Sequence, residues 1–396
     1  MSNGQITECT QLIQGRDRLD MQRIGYIYQH TPIELFLAHG LIPSLITAKQ
    51  GIVGGFESSL QTFSCAYSRN IFAQRAAGDL DDIVGIVFPG NTCDSLQNVG
   101  DVWKYRFPED RVLRLTYPAG PVNKDAIEFF TYEIRQLDRQ LHDLYGTDPP
   151  KEQFSEAIDL VNLWRNGMQL LYSFRLIQPD VLPYGRIAEM VTDFLRAPTY
   201  QKAVDAKKLA EKIGQDLPSP LVDSVHNCLS TKNFEDFSSD FTETNPRILV
   251  VGGMISPSTI SSLFDSISTS HPHNLVLDLL SLGFKTVFTP PTQSDGSPFS
   301  ELARSTLNAP SEPTQEGLKE RMYFLKQIVT NFRIDGVIIC EQSFCDPDQF
   351  EAPSLKHVTQ DAGIRALRLP LDPELSDEQR ILTRIQSFLE TLEGGI

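Results

Sequence analysis

The residues of this chain whose type and placement could carry chemistry are cysteines. Cys93 lies in Phe88-Pro89-Gly90-Asn91-Thr92-Cys93-Asp94, between a β-prone run and a helical one. Cys345 holds the same position after its own apolar run, in Cys340-Glu341-Gln342-Ser343-Phe344-Cys345-Asp346-Pro347, and Cys65 stands at the entrance of a helix beginning Ala66-Tyr67-Ser68-Arg69. A helix N-terminus lowers the pKa of a thiol and favours the thiolate, the form that attacks or binds metal. Cysteine elsewhere behaves as a small hydrophobe. Cys340, within Val337-Ile338-Ile339-Cys340, reads that way, as do Cys9 and Cys228. No Cys-x-x-Cys pair occurs, so spacing alone carries no zinc or ferredoxin signature and leaves core packing, metal ligation and nucleophilic roles open.

Other groups could assist. His30, His39 and Glu34 surround the first strand-to-helix loop and could handle a proton, with Glu34 the candidate catalytic residue. The dipole of its helix would also favour a carboxylate there for stability alone. Arg69 could hold an anionic group near Cys65 or be an exposed helix-face charge. Gly252-Gly253 follows a strand, but neither G-x-G-x-x-G nor G-x-x-x-x-G-K-[ST] is present, so a tight structural turn is the reading.

The elements that must position these residues alternate. Arg23 to Tyr28, Leu41 to Ala48, Ile83 to Phe88 and Arg111 to Thr116 read as strands, separated by helices opening at Thr31-Pro32 and covering Tyr67 to Ala77 and Asp94 to Tyr105. From Asn123 to about Leu229 the period is helical, with Phe130, Ile134, Leu137 and Leu141 on one face of a long helix ending at Gly146. Ser230 to Pro246 is polar and reads as a linker. Strands at Ile248–Val251, Asp335–Cys340 and Ile364–Leu369 then alternate with helices at Ser258–Ser268, Thr314–Phe332, Pro353–Asp361 and Asp377–Leu392; Asn274 to Phe288 fits either state. The expected division is an α/β domain over 1–122 carrying Cys65 and Cys93, a helical region over 123–230, a linker over 231–246 and a second α/β domain over 247–396 carrying Cys345.

Composition narrows the partners. Thirty-five Lys and Arg against 51 Asp and Glu give a net charge of −16, with 40% hydrophobic residues in 396. A nucleic-acid partner needs a basic stripe, which is absent. No apolar run approaches the roughly 20 residues that span a bilayer, and Met1 to Gln22 lacks the pattern of a secretory signal, so a cytoplasmic location is expected. Six cysteines in so long a chain do not make a disulfide scaffold.

The stretch Asn91-Thr92-Cys93-Asp94-Ser95-Leu96-Gln97-Asn98, running on to Val102-Trp103-Lys104, resembles the strongest motif of the 2-hydroxyacyl-CoA dehydratase and benzoyl-CoA reductase family. Ser64-Cys65-Ala66-Tyr67-Ser68-Arg69 is similar to its first cysteine motif, and Asp335-Gly336-Val337-Ile338 with Phe344-Cys345-Asp346-Pro347 and Phe350-Glu351 to its third. Gly25-Tyr26, Thr31 to Leu35 and Ala38 to Pro43 look like its opening. The likeness spans nearly the whole chain, and its specificity lies in the combination. It implies two flavodoxin-like (Rossmann-like) parallel-sheet domains joined by a helical region, in the large iron–sulfur subunit of a lyase or oxidoreductase. A [4Fe–4S] cluster would be held by Cys65, Cys93 and Cys345, and an acyl-CoA thioester would react by one-electron, ketyl-radical chemistry. It further implies a homologous second subunit, or a homodimer, and a separate iron–sulfur activator that uses ATP, which this chain does not. Many relatives have a small residue or cysteine where this chain has Ile27-Tyr28-Gln29, so substrate-binding subunit and non-catalytic partner both stand as readings. Some members are double-cubane reductases of small molecules that use additional cysteines, for which Cys340 and Cys228 are available outside any matched motif.

Overall fold

A computed structural model describes residues 22–393 apart from 53, 236, 238–240, 242, 243 and 295; Cys9 and the polar start at 1–21 lie outside the described residues. Four strands, β1 (Arg23–Tyr26), β2 (Ile42–Leu45), β3 (Ile83–Gly90) and β4 (Val112–Thr116), form one sheet in the order β2-β1-β3-β4. Four more, β5 (Arg247–Gly252), β6 (Asn274–Leu279), β7 (Gly336–Gln342) and β8 (Arg365–Leu371), form a second in the order β6-β5-β7-β8. All pairings are parallel. The expected α/β architecture of two parallel sheets joined by helices is what the chain adopts.

Sequence chemistry explains the strand order. The inner strands β5 and β7 are apolar runs buried along nearly their whole length, as a sheet covered on both faces requires. On one edge of each sheet the strand is more open: β4 alternates, and β8 carries Pro370, which an edge tolerates because it has no ladder hydrogen bond to donate there. In each sheet the chain leaves an inner strand to one side and returns to the other. This reversal opens a crevice beyond the carboxyl ends of β1 and β3, and likewise of β5 and β7.

Between the sheets lies the helical region. Its helix Lys124–Tyr145 buries Phe130, Ile134, Leu137 and Leu141, starts with the Asn123 side chain accepting from the Ala126 amide at 2.9 Å, and stops at Gly146 with φ 66°. The 27-residue helix Lys151–Ile177 runs through the middle, with Trp164 stacked on Phe194 at 4.2 Å between ring centroids. One hydrophobic core continues from the first sheet through these helices to one face of the second sheet, taking Leu249 and Val251 from β5. Ile248 and Val250, on the opposite face, pack with Leu263, Phe264, Ile385 and Leu389 in a smaller core. A Cβ on Gly167 would lie 2.9 Å from the backbone of Ala206 and Lys207, so the helix Tyr200–Gly214 can approach this closely only against glycine. Gly167→Val should therefore cost about 1–3 kcal/mol by overpacking, seen as a lower urea midpoint with an unchanged slope.

Several expectations are corrected. The helix expected from Thr314 begins at Leu318, after Gly317 takes a left-handed φ of 104°. The helix expected from Pro353 begins at Asp346: Pro347 already occupies the first turn, and Pro353 sits inside the helix, where it removes one backbone bond. The helix Pro298–Leu307 was not anticipated. Asn274 to Phe288 resolves into β6 followed by a wide helical turn, Ser281–Lys285, kinked at Gly283. Within the stretch expected as a linker, Phe234, Phe237 and Phe241 all meet the Phe332 ring. No helix among the described residues is long and apolar enough to cross a membrane.

Candidate metal centre between the sheets

The carboxyl ends of the two sheets face one cleft, and the three cysteines meet there. Each is the residue immediately before a helix: Cys65 before Ala66–Ala76, Cys93 before Asp94–Arg106 and Cys345 before Asp346–Asp361. First-turn amides point at their sulfurs, from Tyr67 and Ser68 to Cys65, from Ser95 and Leu96 to Cys93, and from Asp348 to Cys345. The Cys345 thiol donates to the Cys65 sulfur, which lowers the pKa of Cys65 and raises that of Cys345. Burial pushes Cys93 up to about 11 despite its amides, and its sulfur is close enough to Cys65 to interact electrostatically. Beside this contact the Ala66 amide donates to the Ser343 carbonyl at 3.0 Å, joining the two loops.

Among the described residues, no three His, Cys, Asp or Glu side chains surround one point closely enough to hold a single metal ion. A cubane cluster has a different requirement, because each thiolate binds its own iron. Three thiols drawn from two walls of one cleft, each facing the amides of a helix start, fit that donor set.

A polar shell surrounds the sulfurs. Asp348, fully buried beside Cys345, accepts from the Gln342 amide at 3.1 Å, and burial raises its carboxyl to about 7. Gly253 makes room for it: a Cβ there would lie 2.3 Å from Asp348 Oδ1, so the Gly252-Gly253 turn is a site of close approach. The folded chain holds the Asp348 proton more tightly than the unfolded chain does. Its contribution to stability is therefore full below about pH 4 and is lost as pH rises through about 7, on the order of 4 kcal/mol. Urea titrations of the chain free of any bound group should show this decline, and Asp348→Asn should flatten it.

Opposite Asp348 lies Glu312, 2% exposed, on the loop before the helix Leu318–Asn331. Its Oε1 accepts from Gln29 Nε2 at 2.7 Å and lies 3.2 Å from His30 Nε2, both on the loop after β1. Its Oε2 accepts from Ser281 Oγ at 2.6 Å and Lys285 Nζ at 3.0 Å, both on the turn after β6. Burial alone would raise this carboxyl, but Lys285, His30 and Ser281 hold it down to about 2. The turn itself is shaped by buried Asp278, which accepts from the amides of Leu280 and Phe284 and from the hydroxyls of Tyr172 and Tyr184.

The remaining candidates lie outside the thiol contact itself. Glu34 is 1% exposed and ion-paired with Arg165 at 2.9 Å, which joins its helix to the central one. His39 is buried between Asp138 and Thr147. The Arg69 guanidinium lies between the Phe56 and Phe344 rings and donates to the Thr62 carbonyl. Cys340 is buried within β7, and Cys228 is buried on the helix Ser219–Thr231. A cavity of about 710 Å³, including its open mouth, lies at the ends of β5, β6 and β7; Lys285 and Asp348 line it, and none of the three clustered cysteines does. Glu312, Lys285, Asp278 and Asp348 were missed from sequence. A carboxylate flanked as Pro310-Ser311-Glu312-Pro313, and one inside the apolar run Leu275 to Leu282, were the available signals.

The sequence model of the family described as 2-hydroxyglutaryl-CoA dehydratase, D-component, matches residues 29–392. The chain is 22% identical to the (R)-phenyllactyl-CoA dehydratase beta subunit of Clostridium sporogenes, over 95% of this chain and 93% of that one. It is also 22% identical to the lactoyl-CoA dehydratase subunit beta of Anaerotignum propionicum, over 93% and 91%. With a subunit of the benzoyl-CoA reductase of Thauera aromatica the identity is 24%, over 84% and 81%.

Proposed function

Starting from the chain's membership of the 2-hydroxyglutaryl-CoA dehydratase D-component family, we propose that it is the beta-type, iron–sulfur subunit of an enzyme that dehydrates or reduces an acyl-CoA thioester. One observation carries the reading: Cys65, Cys93 and Cys345, separated by up to 280 residues of sequence, come together across one cleft at three helix starts. These three would hold a [4Fe–4S] cluster, which when bound supplies the low-potential electron transfer that ketyl-radical chemistry on a thioester calls for.

What the chain's own residues contribute follows from their places. The first-turn amides stabilise the three thiolates, as helix N-termini do for any anion. Cys65 and Cys93 come from the first sheet's loops and Cys345 from the second's, so the bound group would tie the two walls together. Burial of Asp348 beside Cys345 disfavours a second negative charge next to the sulfur. By the family resemblance, ATP is used by a separate iron–sulfur activator. The assembly is completed by a second, homologous subunit.

The test combines the chain, that second subunit, an activator, ATP and a low-potential reductant under anaerobic conditions, with conversion of a CoA thioester followed by mass spectrometry. Turnover is expected only with all components present and should vanish in Cys93→Ala. Full turnover in air without ATP overturns the proposal.

A further inference from the structure

Glu312 is a buried carboxylate with no place in the cysteine set, yet all four of its side-chain partners lie on the two loops that wall the cleft. Oε1 faces Gln29 and His30 from the first sheet, and Oε2 faces Ser281 and Lys285 from the second. Contacts continue outward on each side. The His30 ring packs edge-on to Tyr28 at 5.5 Å, and Tyr28 in turn interacts electrostatically with Cys93. Lys285 interacts with Asp348, which contacts Cys345.

We infer that Glu312 is a positioning residue for the shared cysteine site: by giving one carboxylate oxygen to each sheet's loop, it sets the distance between the wall bearing Cys65 and Cys93 and the wall bearing Cys345. The chemistry calls for a carboxylate. Two oxygens can accept from two opposed sets of donors, whereas the amide of glutamine has one acceptor oxygen and would turn N–H groups toward donors on the other side. Glu312→Gln therefore keeps the volume but loses the charge-assisted bonds, and it satisfies one wall only if Gln29 and His30 reverse their donor roles. Losing those bonds costs enough to favour a shifted arrangement of the loops.

The inference rests on the reading of the three cysteines as one site, and its test separates the two because it needs no iron. The full-length, cluster-free chain is treated with dibromobimane, which bridges two neighbouring thiols, and the bridged peptides are identified by mass spectrometry. Wild-type protein should bridge Cys65 to Cys345. Glu312→Gln should do so about tenfold more slowly, the equivalent of one lost charge-assisted hydrogen bond, while circular dichroism stays unchanged. The control is Arg368→Gln, which breaks the Glu341–Arg368 ion pair within the second sheet and should bridge at the wild-type rate. Bridging in Glu312→Gln at the wild-type rate, equal slowing in both variants, or no Cys65–Cys345 bridge in wild type would each overturn the inference. Slower bridging in Glu312→Gln together with wild-type protein that binds no iron would uphold it and defeat the cluster instead.

Discussion

Protein purified without air should be brown and carry about four irons and four sulfides per chain, the content of one [4Fe–4S] cluster. Replacing Cys65, Cys93 or Cys345 by alanine should abolish that content. Each thiolate would hold its own iron, and a hydrophobic neighbour cannot take over as ligand. Cys228→Ala should leave the iron in place, because that thiol is buried in a helical core away from the cleft. The contrast between the variants makes the measurement specific to the site. Colourless protein that binds zinc instead would overturn the assignment. About eight irons per chain would point to the double-cubane version, which would have to recruit Cys340 from inside β7.

The second large effect concerns Glu34. Its carboxylate and the Arg165 guanidinium are both buried, 2.9 Å apart, and they link the helix Ile33–Ala38 to the central helix Lys151–Ile177. Removing one partner strands the other charge in the core, so Arg165→Leu or Glu34→Ala should each cost about 3–5 kcal/mol. Removing both at once with apolar residues of similar volume should cost far less than the two losses added together, because neither charge is then left alone. Urea unfolding of the two single variants and the double variant measures this coupling. A catalytic Glu34 predicts the opposite: Glu34→Gln would stop turnover with stability intact. The buried pair favours the structural role.

Much of this protein could be read along the chain. The strand runs Ile83–Phe88, Ile248–Val251 and Asp335–Cys340 are apolar because a covered parallel sheet has no wet face, and the long helix from Asn123 to Gly146 declares itself by its face, its cap and its terminal glycine. Local patterns also place Cys65, Cys93 and Cys345 at helix starts, since the residue before a helix is set by its immediate neighbours. Conflicting local signals mislead or stay silent: Pro353 suggests a helix start that Pro347 already supplies, and Asn274 to Phe288 fits no single period because a strand turns there into a kinked helical segment around Asp278.

Which residues would meet was a matter for packing. Periodicity says nothing about partners 280 residues apart, so the contact of Cys345 with Cys65, the pairing of Glu34 with Arg165 and the convergence of four donors on Glu312 come only from stacking two sheets against a shared helical core. Buried charges are where this gap is widest. A carboxylate on a loop looks solvated in sequence, and its burial depends on whether chain segments far away bring enough donors to offset lost hydration. Glu312 receives four such donors from two sheets and is buried as a carboxylate, while Asp348, beside a sulfur and with fewer donors, is buried with its pKa raised to about 7.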